Sequence, residues 1–135
     1  MKPINEVYSK SEKYFSDYNE LINSLDYEIL LQVDDDDYQG DSRILLKNND
    51  SYGILIFGWG SCSGCDALQS CENIKEVDEL RQSLNQSIRW GTLEETLNYM
   101  KNHDWEGDYS WRQTEMKRFI CKTIKLLKTE IKSKK

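Results

Sequence analysis

The chain has 135 residues, of which 38% are hydrophobic and 31% charged, and its formal net charge is −6. A chain of this length is typical of one domain and buries roughly two-thirds of the surface that its unfolded form exposes. It therefore does not need disulfides or a bound metal in order to fold. No segment approaches the ~18 apolar residues of a membrane-spanning helix, and one proline with seven glycines argues against disorder. We therefore predict a single globular domain, residues 1–135, that does not span a membrane.

Apolar residues at helical spacing predict a first helix over residues 10–25. Three strand candidates follow, at residues 27–33, 43–47 and 52–57. Turn-forming residues separate the last two strands, which indicates a hairpin, and connections this short exclude parallel crossovers. The first half of the chain is thus expected to be a helix followed by a three-stranded antiparallel meander.

The second half returns to helical spacing, with three apolar stripes that predict three helices. The second of these helices begins with the capping-box pair Thr92 and Glu95. Grouped strands followed by grouped helices predict an α+β fold with the helices packed on one face of the sheet. We expect the final helix to bury its stripe and to fray from about Glu130. The stripes consist of Val77, Leu80, Leu84 and Ile88; of Leu93, Leu97 and Met100; and of Met116, Phe119, Ile120, Ile124, Leu127 and Ile131.

A loop rich in glycine and cysteine lies between the third strand and the next helix. Residues 58–64 contain three glycines, which indicate backbone conformations or close approaches that side chains would block. Asp66 and Gln69 have the spacing of a helix N-cap and its reciprocal partner. The pattern therefore predicts a helix that begins directly after Cys65, where the helix dipole would favour a thiolate.

The beginning of the sequence contains no apolar stretch that a secretory system would recognise. We therefore expect the protein to stay in the cytoplasm, where cysteines are kept reduced. In that compartment the four cysteines are more naturally thiols or metal ligands than structural disulfides.

Three interpretations of the cysteines stay open. Cys62, Cys65 and Cys71 have the spacing C-x2-C-x5-C, and with Cys121 or His103 as a fourth ligand they would form a structural zinc site. Cys62 and Cys65 would alternatively form a redox pair, although the chain lacks the cis-proline context of thioredoxin-like sites. The third interpretation, which we favour, is that the thiols are small buried side chains and that no cofactor is bound.

Charge is divided unevenly along the chain. Residues 111–135 contain nine Lys or Arg and two Glu, a net charge of +7, which leaves −13 for residues 1–110. A basic final helix of this kind is suited to contact nucleic-acid phosphates. The acidic chain and the absence of a known binding motif disfavour that partner, so we expect a solvated face that neutralises the acidic body. The acidic run Asp34, Asp35, Asp36 and Asp37 is expected to be a solvated turn that steers the approach of a partner.

Residues 105–111 are predicted to form a loop, and they carry aromatic rings at Trp105, Tyr109 and Trp111. Such rings either anchor an interface or fold back over the core. No arrangement of residues nominates a nucleophile or an acid–base pair. We therefore predict a non-enzymatic binding protein with a protein partner, whose contact residues are these three rings and the acidic run 34–37.

Residues 38–41 and 52–68 resemble small proteins of bacteria and their phages that carry a Tyr-Gly-Ser-Cys-Ser-Gly-Cys-Asp cassette. The matching part here reads Gly-Trp-Gly-Ser-Cys-Ser-Gly-Cys-Asp. Those proteins have no assigned activity, so the resemblance carries over no catalytic residue. It implies an origin in a phage or mobile element, where small acidic proteins often bind and inhibit or redirect a host protein.

Overall fold

The computed structural model describes residues 1–7, 18–36, 39–60, 66–105 and 113–134. Five helices and four strands lie in these ranges, so the chain belongs to the predicted α+β class. Within the same ranges, no helix has both the length and the apolar character needed to cross a bilayer. The elements are α1 (Ile4–Val7), α2 (Tyr18–Asn23), β1 (Glu28–Asp34), β2 (Gly40–Asn48), β3 (Ser51–Trp59), α3 (Ile74–Ser87), β4 (Arg89–Gly91), α4 (Leu93–Asn102) and α5 (Gln113–Ser133).

The described strands form one antiparallel sheet in the order β1-β2-β3-β4. The predicted hairpin is confirmed: Asn48 pairs with Ser51, and Asn49 adopts a φ of 57° in the two-residue turn. Asparagine tolerates this left-handed conformation better than most residues. The prediction of three strands was wrong, because β4 adds a fourth at the edge. Ile88, assigned to a helix from its spacing, lies after the end of α3 in extended conformation.

Helices cover both faces of the sheet, so the prediction that they pack on one face was wrong. One face, with Leu45 and Ile54, packs against α4 and α5. The other face, with Ile44 and Leu55, packs against residues of α2 and α3. A strand that is covered on both sides reads as an uninterrupted apolar run, as β2 does at residues 44–46.

The final helix, α5, buries the predicted stripe. It extends to Ser133, and Glu130 accepts a hydrogen bond from the Tyr52 hydroxyl at 3.1 Å, so the expected fraying from Glu130 is not observed. Lys47 Nζ lies 3.8 Å from the same carboxylate. Three residues of the stripe are buried: Met116, Phe119 and Leu127. The other three are half-buried against the same core: Ile120, Ile124 and Ile131.

The helix beginnings follow the sequence in one case and depart from it in another. Thr92 and Glu95 form the predicted capping box at the start of α4. The helix predicted over residues 10–25 is observed only as α2, because residues 8–17 lie outside the described ranges. The chain leaves α2 through Asp26, whose φ of 64° ends the helical path before β1.

Candidate functional site

One buried carboxylate, that of Asp66, connects the residues on either side of 61–65, the segment predicted to be a loop and called the cysteine loop below. We call these flanking residues the base of the loop. Asp66 Oδ2 accepts a hydrogen bond from the Gly60 amide at 2.8 Å, and Oδ1 accepts from the amides of Leu68 and Gln69 at 2.9 and 3.0 Å. The Gln69 side chain donates to the Gly60 carbonyl at 3.0 Å. Two of these four hydrogen bonds join the residue after β3 to the following turn, and the other two lie within the turn. Three of the four have a charged acceptor and are correspondingly strong.

Tyr18 of α2 completes this arrangement from the other side. Its hydroxyl donates to Asp66 Oδ1 at 3.0 Å and accepts from the Leu68 amide at 3.1 Å. Burial, reinforced by the charge of Asp66, raises the pKa of Tyr18 well above its ordinary value. Tyr18 is therefore a neutral donor that ties α2 to the base of the loop, and it cannot serve as a base near neutral pH.

The helix predicted directly after Cys65 is absent. Residues 67–70 form a turn, and α3 begins only at Ile74, where the Asn73 side chain accepts from the Glu76 amide at 2.9 Å. Asp66 and Asn73 each bind the amide three residues ahead, so the sequence offers two cap signals and a long helix follows only the second. The helix dipole expected to activate Cys65 therefore begins several residues later.

Cys71 is the one residue of the predicted zinc and thiol set 62, 65 and 71 that the described ranges contain; Cys62 and Cys65 lie outside them. It is half-buried beside Leu68 and Val77, and its thiol donates to the Ala67 carbonyl. Burial and the neighbouring carboxylates raise the pKa of Cys71. Its environment therefore favours the thiol over the thiolate that metal binding or nucleophilic attack would require.

The two suggested fourth ligands lie on the opposite side of the sheet from Cys71. His103 ends α4 and contacts the rings of Tyr99 and Trp105, and Cys121 is exposed on α5. Zinc–ligand bonds of about 2.0–2.3 Å cannot join groups separated by a packed sheet. The described residues contain no group of three metal-binding side chains. A half-site of Cys62 and Cys65 stays a prediction.

The acidic run is not uniformly solvated, which corrects the expectation for Asp35. Asp34 and Asp36 are exposed and Asp37 lies outside the described ranges, but Asp35 is 4% exposed. Asp35 Oδ1 accepts from Arg43 Nη1 at 2.8 Å, and Oδ2 accepts from the Asp41 amide at 2.7 Å. Asp35 thus belongs to the interior and cannot steer a partner.

Arg43 is a site that the sequence analysis missed. Its side chain is fully buried, Asp41 Oδ2 lies 3.9 Å from Nη2, and Nε and Nη2 make no hydrogen bond. Gly40 leaves room for its partner, because a Cβ at that position would lie 2.6 Å from Asp35 atoms. The available signal was an arginine directly before the apolar run 44–46, because an arginine that is buried with such a run requires an internal counterion.

Of the three predicted aromatic contact residues, the described ranges contain only Trp105. Trp105 is 8% exposed, belongs to the core between the sheet and α5, and donates its indole N–H to the Met100 carbonyl at 2.9 Å. The core-covering interpretation therefore describes Trp105. Tyr109 and Trp111 as contact residues stay predictions.

The outward side of α5 carries a continuous basic face. In the described part of the chain, no carboxylate forms an ion pair with any cation of this α5 face. The two carboxylates of the helix, Glu115 and Glu130, are only half-exposed, and Glu130 points toward Tyr52 and Lys47. We define the basic face as Lys117, Arg118, Lys122, Lys125, Lys128 and Lys132, all of them exposed.

The dimensions of the basic face follow from helix geometry. At 3.6 residues per turn its six positions fall within an arc of about 140°, and from residue 117 to 132 they span about 22 Å. The helix has a net charge of +4, and the whole chain has −6, so the residues outside the helix together carry −10. A cationic strip thus lies on an otherwise acidic molecule.

Comparisons with protein-family models, with curated proteins and with solved structures give no match for this chain. The resemblance of residues 52–68 to bacterial and phage proteins therefore stays a prediction. Function has to be inferred from the geometry and the charges described above.

Proposed function

We propose that this protein acts by binding a macromolecular partner, without catalysing a reaction, and that the basic face of α5 is its contact surface. The observation that supports this most is the set of six exposed cations without a described ion pair on an acidic chain. In designed proteins, large surface regions of one charge sign are avoided unless they are meant to steer a partner. A surface that separates the two signs of charge accelerates association with a partner of opposite charge.

The partner in this proposal is a protein that the chain regulates or inhibits, in the setting of a phage or mobile element. The resemblance of the cassette supports that setting. The contact surface differs from the one expected from sequence, since Trp105 and Asp35 are internal. Asp34 and Asp36 remain exposed, and we propose that they orient an approaching partner by repelling its acidic regions away from β1 and toward the basic face.

A second candidate function, zinc binding or thiol redox chemistry at Cys62 and Cys65, is supported by the base of their loop. Asp66 and Gln69 hold Gly60 next to the turn that follows the loop, so the two ends of the segment are fixed. Fixed ends reduce the ordering cost of binding a ligand there. Metal analysis, described in the Discussion, tests this candidate.

Affinity capture with a matched pair of charge variants tests the binding function. In Lys122→Glu/Lys125→Glu both changes lie on the basic face, whereas in Lys75→Glu/Lys101→Glu both lie on exposed positions of α3 and α4. The formal charge changes equally in the two variants. We expect a partner that the wild-type chain and the α3/α4 variant retain and the basic-face variant loses. Equal recovery by both variants would show that the basic face is not the contact surface.

A further inference from the structure

The composition of the basic face and its surroundings also indicate what the partner presents, an inference that rests on the proposed function. We infer that the basic face binds a compact, carboxylate-rich patch on a protein, about as long as the basic face itself, and not the phosphate backbone of a nucleic acid. Size, side-chain chemistry and the neighbouring charges each support this choice.

The size of the face matches a small acidic patch. From Arg118 onward its cations recur every three or four residues, and with Lys117 they span about 22 Å, which is the repeat and length of carboxylates along four turns of a partner helix. Among the described residues, Lys134 is the one cation directly beyond the helix, and its Nζ lies over the Tyr52 ring and not on the strip. A partner surface of similar length would meet all six cations at once.

The exposed side chains of α5 favour a hydrated ionic contact over base stacking. Five of the six cations are lysines, which act as strongly hydrated point charges on flexible stems, and only Arg118 offers the planar fork that binds carboxylate or phosphate in a bidentate manner. Proteins that bind single strands also use exposed rings on which bases stack. The exposed positions of α5 carry no aromatic side chain.

The charges on either side of the helix disfavour a long polyanion. Two of the neighbours of α5 in the fold, β1 and α4, carry the exposed carboxylates Glu28, Asp34, Glu94 and Glu95, against one exposed lysine, Lys101 of α4. Double-stranded DNA carries one charge per about 1.7 Å and would continue past both ends of the basic face. Phosphates within a Debye length of about 8 Å of these carboxylates would be repelled. The acidic flanks thus act against nucleic acid and in favour of a limited patch.

Direct titration of the full chain with two probes tests this inference. One probe is a helical peptide of about 16 residues with glutamates along one face and alanines elsewhere, which is about 24 Å long. The other is a DNA duplex of about 20 base pairs, longer than α5. Chemical-shift changes are followed at low ionic strength and at about 0.15 M salt. The Lys122→Glu/Lys125→Glu and Lys75→Glu/Lys101→Glu variants are titrated in parallel.

We expect the peptide to bind more tightly than the duplex at the higher salt, with shifts centred on α5. The basic-face variant should weaken peptide binding about tenfold or more, and the α3/α4 variant less than about threefold, because only the former removes facing charges. Tighter duplex binding that the basic-face variant abolishes would overturn the carboxylate inference and leave the contact surface standing. Failure of the peptide to bind, with partner capture still lost in that variant, would have the same meaning. Probe binding that is equally tight in the wild type and in the basic-face variant would show that the basic face is not the contact surface.

Discussion

Replacing Asp35 by Ala tests whether part of the acidic run belongs to the core. In the native structure its carboxylate lies 2.8 Å from Arg43 Nη1, and both side chains are fully buried. Breaking a buried ion pair from one side costs about 3–5 kcal/mol, because the remaining charge stays buried without its counterion. Asp41, 3.9 Å from Nη2, keeps part of the attraction. We therefore expect the lower end of that range, about 3 kcal/mol.

Urea-induced unfolding measures this change. With a denaturant dependence of about 1–3 kcal/mol per molar urea, the midpoint should fall by roughly 1–3 M. Asp34→Ala and Asp36→Ala are matched controls, since each removes an exposed carboxylate from the same run and should change stability by no more than about 0.5 kcal/mol. Adding Arg43→Met to Asp35→Ala removes the orphaned charge and should recover a large part of the loss.

Two results would refute this reasoning. Equal midpoint shifts for Asp35→Ala and Asp36→Ala would mean that Asp35 is solvated like its neighbour. A failure of Arg43→Met to restore stability in the Asp35→Ala background would mean that the cost does not arise from an unpaired guanidinium. The first result would return Asp35 to the acidic surface that the sequence predicted, and the second would assign the cost to another contact of Asp35, such as its hydrogen bond with the Asp41 amide.

Three further predictions concern the core of α5, a helix cap and the cysteine pair. Phe119→Ala should lower the free energy of unfolding by about 3–5 kcal/mol, because its ring is fully buried; Lys125→Ala should change it by less than about 1 kcal/mol, and similar urea midpoints would contradict the placement of α5. Hydrogen bonds in the capping box lower the pKa of Glu95, so its contribution is present above the pKa of the unfolded chain and lost as pH falls through the folded pKa. Glu95→Gln should therefore lose less stability than the wild type between neutral pH and about pH 3, and an equal loss would count against the cap. If Cys62 and Cys65 hold zinc, protein purified without chelator should retain close to one equivalent, and less than about a tenth would exclude a structural site.

The sequence was sufficient where an element buries one stripe and exposes the rest. In α5 the apolar and the basic positions follow from the same helical spacing, so both the buried Phe119 and the exposed Lys125 were predictable. The capping box before α4 was predictable because it depends on two residues in one turn. Local patterns of this kind do not depend on how distant segments pair.

What the sequence did not show depends on pairing between segments. Asp35 reaches Arg43 because Asp34 pairs with Ser42, and the neighbouring residues are aligned by that register. Nothing in the run of four aspartates distinguishes the one that turns inward. The strand β4 has only three residues, which are too few to show an alternating apolar and polar pattern. It forms because it pairs with the edge of β3 that β2 leaves free. Ile88 thereby passes from the predicted helix to the link before β4.

The carboxylate of Asp66 has a consequence for how the chemistry of the cysteine loop can be isolated. Because Asp66 and Gln69 join the chain on either side of residues 61–65, the ends of that segment are closed by contacts outside it. The free-energy cost of closing a flexible segment, which is entropic, grows slowly with length, by about 0.6 kcal/mol for each doubling. Residues 61–65 can therefore be exchanged for a glycine–serine linker, or lengthened, while β3 and α3 keep their positions. Any binding or metal uptake lost in such a chimera would then belong to the side chains of the loop and not to the scaffold that closes it.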